Sequence, residues 1–161
     1  EILRTRPGAI IVEHKLGFVC ANAGIDQSNV GNENSVLLLP ENPDLSAEQL
    51  RQKIGQATGT NIGVLIIDSH GRAWREGTVG IAIGIAGLTG LIDMRGNPDL
   101  FGRTLQITQV GVADELAAAA SLMMGQAAEG TPAVHVRGFP YPLREGSLGE
   151  LLRPKEQDLF R

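Results

Sequence analysis

The segment 77–91, GTVGIAIGIAGLTGL, constrains this chain more than any other. It interleaves apolar residues with glycine, carries no charge, and falls short of the ~20 residues that a membrane-spanning helix needs. It therefore reads as a buried strand with glycine turns, packed against a site. Glycine supplies 21 of the 161 residues, nearly twice the usual ~7%, without a collagen-like period. Tight turns and close backbone approaches are expected throughout. Neither GxxxxGK[ST] nor GxGxxG occurs, so P-loop and Rossmann readings fail on the residues themselves.

A chain of 161 residues can bury one ordinary core, and 42% hydrophobic with 20% charged residues is a globular composition. The formal charge of -4, with no basic face, argues against nucleic-acid binding. No apolar run is long enough to span a membrane, and neither a signal peptide nor a membrane partner is expected. Cys20 is the single cysteine and lies in an apolar run. It reads as a buried structural thiol in a reducing, cytoplasmic setting. The sequence starts at Glu1 and runs straight into a strand, so residues 1–161 are expected to be one domain within a longer chain that lacks its N-terminal part here. A further domain after Arg161 is also expected as an option.

The polar chemistry is organised around 17–29, GFVCANAGIDQSN. An apolar strand, Phe18 to Ala21, breaks at Asn22-Ala23-Gly24 and delivers Asp26, Ser28 and Asn29 onto a loop. Asp26 and Asn29 offer one charged and one neutral oxygen ligand on the same turn. An Asx-turn, in which Asp26 and Ser28 bond their own backbone, is the other reading. The cleanest strand in the chain, Val64 to Ile67, places a second aspartate, Asp68, just past its end, followed by Ser69, His70, Gly71 and Arg72. Ligands in α/β layouts gather outside the carboxyl ends of strands. Two carboxylates brought together would repel and one would take up a proton; a divalent cation between them keeps both ionised.

Elsewhere, Pro7-Gly8 turns into a strand at Ala9 to Val12, and Glu13-His14-Lys15 forms the corner of a two-strand hairpin. Residues 35–39 read as a buried strand closed by Pro40. Ser46 and Gln49 form a capping box for a helix over 46–58, with Leu50, Ile54 and Ala57 as its apolar stripe. Residues 93–99 read as a charged loop leading to Gly102-Arg103. A second helix over 108–126 shows Val112, Leu116, Ala119, Ala120, Met123 and Met124 at helical spacing, with the methionines as core. Asp114 and Glu115 lie in its first turns, where carboxylates suit the helix dipole. Residues 133–136 read as a strand that embeds His135. The tail carries a short helical stretch over 148–152, and its final EQDLFR reads as a helix start. The fold class is α+β (mixed α and β), with short mixed sheets and two principal helices.

Three stretches together resemble one family: GFVCANAGIDQSN, IIDSHGRAWREGTVGIAIGIAGL and VADELAAAASLMMGQAAEGTPAVHVRG. They are similar to the coenzyme F420-0:γ-glutamyl ligase family, in order and with similar spacing over almost the whole chain. The resemblance implies a ligase-like fold and a GTP-dependent, homodimeric enzyme that adds L-glutamate to coenzyme F420-0. It implies two Mg2+ or Mn2+ ions per site, with K+ as an additional candidate. By position, Asp26, Asp68, Ser69 and Gln126 match metal ligands. Asn29 and the segment Met124, Gly125, Gln126, Ala127, Ala128, Glu129, Gly130 and Thr131 match nucleotide contacts. Ser69 stands where the family usually has threonine, and keeps the hydroxyl. His70 departs further, since an aromatic residue is usual there.

In the implied chemistry, a substrate carboxylate attacks the γ-phosphorus of GTP and glutamate displaces phosphate from the acyl phosphate. No protein nucleophile is needed. Arg72, Arg75, Arg95 and Arg103 are candidates for substrate carboxylate or phosphate, Arg72 foremost. Trp74 and Tyr141 are candidates for stacking on the deazaflavin ring. A metal-dependent phosphotransferase or phosphatase on the same aspartates, and a non-catalytic nucleotide- or metal-binding protein, are the competing readings.

Overall fold

The computed structural model describes residues 1–159, and the last two residues of the EQDLFR segment lie outside them. The architecture is α+β, with three small antiparallel sheets and two principal helices. Strand β1 (Ile2–Arg6) turns over Pro7-Gly8 into β2 (Ala9–Glu13), and β3 (Val19–Ala21) pairs with the other side of β2. The hairpin expected at the Glu13-His14-Lys15 corner is β2–β3, and β1 extends it to three strands.

The centre is a hairpin of β4 (Val64–Arg72) and β5 (Arg75–Ala86), the latter covering most of the uncharged glycine-rich segment. β4 does not end before Asp68 as its polar residues suggest. Asp68 pairs with Ile81, Ser69 with Gly80 and His70 with Val79, so main-chain pairing with β5 carries the strand on to Arg72. At the other end the register shifts between Ile66 and Ile67, which leaves Ile83 as the extra residue of a bulge. Apolar clusters form on both sides of this hairpin. Ala82 packs with Ala113 and Ala117, whereas Ile83 packs with Phe18 and Cys20 of the first sheet.

Two glycines let helices sit directly on β5. A Cβ on Gly80 would lie 2.8 Å from the Ala117 carbonyl oxygen, and one on Gly84 would lie 2.5 Å from the Pro43 carbonyl. These contacts belong to α2 (Val112–Met124) and α1 (Pro43–Thr58) respectively. Each helix then uses a first-turn aspartate to satisfy β5. The Ala82 N–H donates to Asp114 Oδ1 at 2.9 Å, and the Ile85 N–H donates to Asp44 Oδ1 at 2.7 Å. Asp114 thus does more than complement a helix dipole: its carboxylate fastens α2 to the strand.

Both helices differ in detail from expectation. α1 starts at Pro43, because the Asn42 side chain accepts from the Leu45 N–H at 3.0 Å and proline suits the first helical position. Ser46 instead donates its hydroxyl to the Asn42 carbonyl. Leu50 and Ile54 are exposed, and the inward face is Pro43, Ala47 and the half-buried Asp44, Arg51 and Gly55. Arg51 turns inward because its guanidinium bonds the Ile62 carbonyl, Glu48 and Asn61. α2 starts at Val112, four residues after Thr108, since β7 (Gln109–Val110) pairs there with β6 (Ile92–Asp93). Ala119 is exposed and Met123 is 70% exposed, so Met123 is not core; Met124 is half-buried.

Three other expectations are corrected. Among the described residues, 35–39 make a single bridge, Leu37 with Asp26, and Leu38 is 72% exposed, because no described sheet edge receives the rest of the segment. Residues 133–136 form no strand and His135 is exposed, since no strand among the described residues pairs with them. The charged loop over 93–99 is one arm of a hairpin: Pro98 bridges Thr104, and the Asp99 N–H donates to the Arg103 carbonyl at 2.8 Å. In the tail, the helical stretch is a 3-10 turn, Leu148–Glu150, and a second one spans Lys155–Gln157. Cys20 is buried, as expected. Among the described residues, no helix is long and apolar enough to cross a membrane.

Candidate functional site

An open cleft of about 680 Å3 lies where the loop after β3, the middle of β4 and the C-terminal end of α2 meet. Asp26, Asn29, Asp68, Ser69 and the run from Met124 to Thr131 all line it, joined by Ser28, Ile67, Gly80, Ser121 and Pro132. The residues singled out as metal or nucleotide contacts therefore share one concavity.

Asp26 is placed by its backbone, which exchanges hydrogen bonds with Leu37 in both directions, at 3.1 and 2.7 Å. Before it, Asn22 and Ala23 adopt φ of 51° and 56°, left-handed values that non-glycine residues rarely take. Its carboxylate is gripped at both oxygens. The Ser28 N–H donates to Oδ1 at 2.8 Å and the Ser28 hydroxyl donates to Oδ2 at 2.5 Å. The Asx-turn is thus formed, and it coexists with a place in the cleft: an ionised carboxylate has about four acceptor sites, and Ser28 fills two. These bonds, the hydroxyl foremost, hold Asp26 below the ordinary aspartate range. It stays ionised.

Asp68 sits within paired β4, a firmer support than the strand-end loop the sequence suggests. Its Oδ1 accepts from the Ser69 N–H at 2.9 Å, and its Oδ2 lies 3.0 Å from His70 Nε2. The imidazole is only 7% exposed and rests against the Phe18 ring, which is itself stacked on His14.

The third wall begins at Gly125, whose φ of 77° and ψ of -179° are accessible essentially to glycine alone. That conformation turns the chain out of α2 and across the cleft. Glu129 folds back over Gly125 and accepts from the Ala127 N–H at 2.8 Å, which lowers its pKa. Gln126 Nε2 donates to Ser121 Oγ at 2.8 Å. The amide nitrogen is thereby committed, and the amide oxygen is the part of Gln126 suited to a cation.

Three carboxylates, Asp26, Asp68 and Glu129, line the cleft, and no lysine or arginine does among the described residues. Such a wall attracts cations and repels a bare polyphosphate. The donors suited to an ion are carboxylate, hydroxyl and amide oxygens, the hard set preferred by Mg2+ and Mn2+. No group of three or more histidine, cysteine, aspartate or glutamate side chains is placed to hold an ion among the described residues. The residues fit a cation completed by water and phosphate, as Mg2+ sites usually are.

The cationic and aromatic candidates lie elsewhere. Arg72 donates to the Gly77 carbonyl at 3.3 Å beside the β4–β5 turn, and Arg95 pairs with Asp93. Trp74 occupies that turn, 89% exposed, and Tyr141 packs edge-on against Phe139. None of these, nor Arg75 or Arg103, lines the cleft. Ser121 also lines the cleft, beyond the residues the sequence patterns single out. Its signal was present: one hydroxyl in the run LAAAASLMM, four residues after buried Ala117.

Fold and cleft together define an α+β protein whose anionic, oxygen-lined cleft suits divalent cations. The model of the F420-0:Gamma-glutamyl ligase family matches residues 1–138, and the chain belongs to that family. The coenzyme F420:L-glutamate ligase of Methanococcus maripaludis (strain C7) is 51% identical over 161 residues, covering all of this chain and 64% of that protein. The protein of the same name from Methanothermobacter thermautotrophicus is 53% identical over 163 residues, again covering all of this chain and 64% of the relative. That of Methanocaldococcus jannaschii is 50% identical with the same coverage. The chain thus spans 64% of the length of these curated relatives.

Proposed function

We propose that this protein is a GTP- and divalent-cation-dependent ligase that joins L-glutamate to coenzyme F420-0 through a γ-glutamyl amide. The observation that carries the reading is the convergence of Asp26, Asp68, Ser69 and Gln126 on one cleft that, among the described residues, has no cationic side chain of its own. A triphosphate enters such a cleft only with its charge neutralised, so cations and nucleotide belong together there. Bound Mg2+ or Mn2+, two per site, would supply charge stabilisation at the γ-phosphate. Asp26 and Asp68, with Ser69 and the Gln126 amide oxygen, would hold the ions, and Asn29 with Met124 to Thr131 would form the nucleotide wall. The substrate carboxylate attacks the γ-phosphorus and GDP leaves. The glutamate amine then attacks the acyl carbon, phosphate departs, and the amine loses a proton. The relatives' name supports the substrate pair. GTP, K+ and a homodimer complete the proposal and rest on the resemblance, and a cytoplasmic setting rests on the single cysteine, Cys20.

Titration calorimetry of GTP with Mn2+, on the wild type and on Asp26→Asn and Asp68→Asn, tests the cleft. Mn2+-dependent binding lost in both variants is expected. A turnover assay should then release phosphate only when coenzyme F420-0 and L-glutamate are both present. Phosphate release without glutamate would instead make it a phosphotransferase or phosphatase, and binding without turnover a non-catalytic protein.

A further inference from the structure

We infer that His70 is a positioning residue for the Asp68 carboxylate, and that it biases the cleft toward small octahedral cations over Ca2+. This rests on the metal reading above. The ring nitrogen Nε2 lies 3.0 Å from Asp68 Oδ2, and an ionised carboxylate is acceptor-only, so Nε2 is the donor. The ring cannot readily swing away. It is 7% exposed and held against Phe18, whose ring centroid is 5.3 Å distant and which stacks in turn on His14. Asp68 is two residues back on the same face of β4, so donor and acceptor share one rigid strand. The second oxygen is engaged as well, by the Ser69 N–H at 2.9 Å.

The consequence lies in how Asp68 presents itself. A carboxylate whose two oxygens each accept a fixed hydrogen bond offers single lone pairs and resists bidentate chelation. Mg2+ and Mn2+ accept monodentate carboxylates in near-ideal octahedra, whereas Ca2+ takes higher coordination, often with bidentate carboxylates. Asp26, gripped at both oxygens by Ser28, is restricted in the same way. His70 does for Asp68 from the side-chain side what Ser28 does for Asp26. It lies outside the residues lining the cleft and so acts through Asp68.

The test is Mn2+ binding followed by electron paramagnetic resonance, with Ca2+ as competitor, on the full protein. Variants are His70→Phe, which keeps the ring against Phe18, His70→Gln, which keeps a donor, and Asp68→Asn. Loss of an outer partner of a metal ligand typically weakens affinity 10–100-fold. His70→Phe is expected to weaken Mn2+ roughly 10-fold or more and to narrow the preference for Mn2+ over Ca2+, with His70→Gln in between. Unaltered Mn2+ affinity in folded His70→Phe, alongside loss in Asp68→Asn, overturns the His70 inference alone. If His70→Phe does not fold, His70→Gln decides by the same two readouts, and wild-type affinity and preference in that variant with a donor-free His70→Leu overturns it. Mn2+ binding unaltered in Asp68→Asn, or absent from the wild type, removes the metal reading and the inference with it.

Discussion

The Gln126 amide nitrogen donates to the Ser121 hydroxyl at 2.8 Å, so a residue on the cleft wall is held by one buried a turn earlier in α2. The bond fixes which end of the amide is available to a ligand. Ser121→Ala removes the acceptor at a net stability cost of about 1 kcal/mol, or roughly 2–4 °C in Tm for a chain of this size. The amide then rotates freely. Mn2+-dependent GTP binding should weaken roughly 10-fold, far more than the small loss of stability suggests. Calorimetry beside a thermal melt separates the two effects, and wild-type affinity in Ser121→Ala would remove Gln126 orientation from the site's design.

Gly125 carries the chain out of α2 in a conformation closed to side chains. A Cβ there would also lie 2.2 Å from the Glu129 carboxyl carbon. Gly125→Ala should cost on the order of 1–3 kcal/mol in backbone strain and displace Glu129 from the Ala127 N–H. Thermal unfolding and limited proteolysis of the segment after α2 check this. A variant with wild-type Tm and protease resistance would show that the segment does not depend on glycine.

Asp114 gives a pH dependence of definite sign. Burial raises its pKa, outweighing the Ala82 N–H and the His70 charge that pull it down. The folded state therefore binds the proton more tightly than the unfolded chain does. Its contribution is fully present below the unfolded aspartate value and is lost as pH rises through the raised one. Asp114→Asn keeps an acceptor for Ala82 without a charge to desolvate, and should flatten this part of the stability profile. Asp114→Ala leaves the Ala82 N–H unpaired and should cost about 1–3 kcal/mol. Denaturant melts across the acidic range read both, and an Asn variant with the wild-type pH slope would exclude Asp114 as its source.

Much of the site was legible because it is built from short stretches with strong local character. Asp26 and Ser28 follow an apolar strand, and their hydrogen bonds span two residues, so a turn of that chemistry forms wherever the strand ends. α2 ends at Met124, and the cleft wall that follows, from Gly125 to Pro132, is contiguous in sequence. Asp68 lies in a different setting from the one its sequence suggests. Its polar neighbours suggest a loop, yet partners on β5 hold 68–72 in a strand.

What the sequence alone determined is local: glycine punctuation, the two helices within a few residues, the uncharged segment as a buried strand, and the acidic and amide groups offered to a site. These depend on backbone preference and on contacts a few residues apart. Tertiary structure decided what long-range partners decide. It exposed Leu50 and Ile54 while turning Arg51 inward, left 35–39 with one bridge, and brought His70 under Asp68 against Phe18, a ring 52 positions away in sequence. A side chain's face depends on what lies opposite, and in this fold those neighbours come from distant parts of the chain.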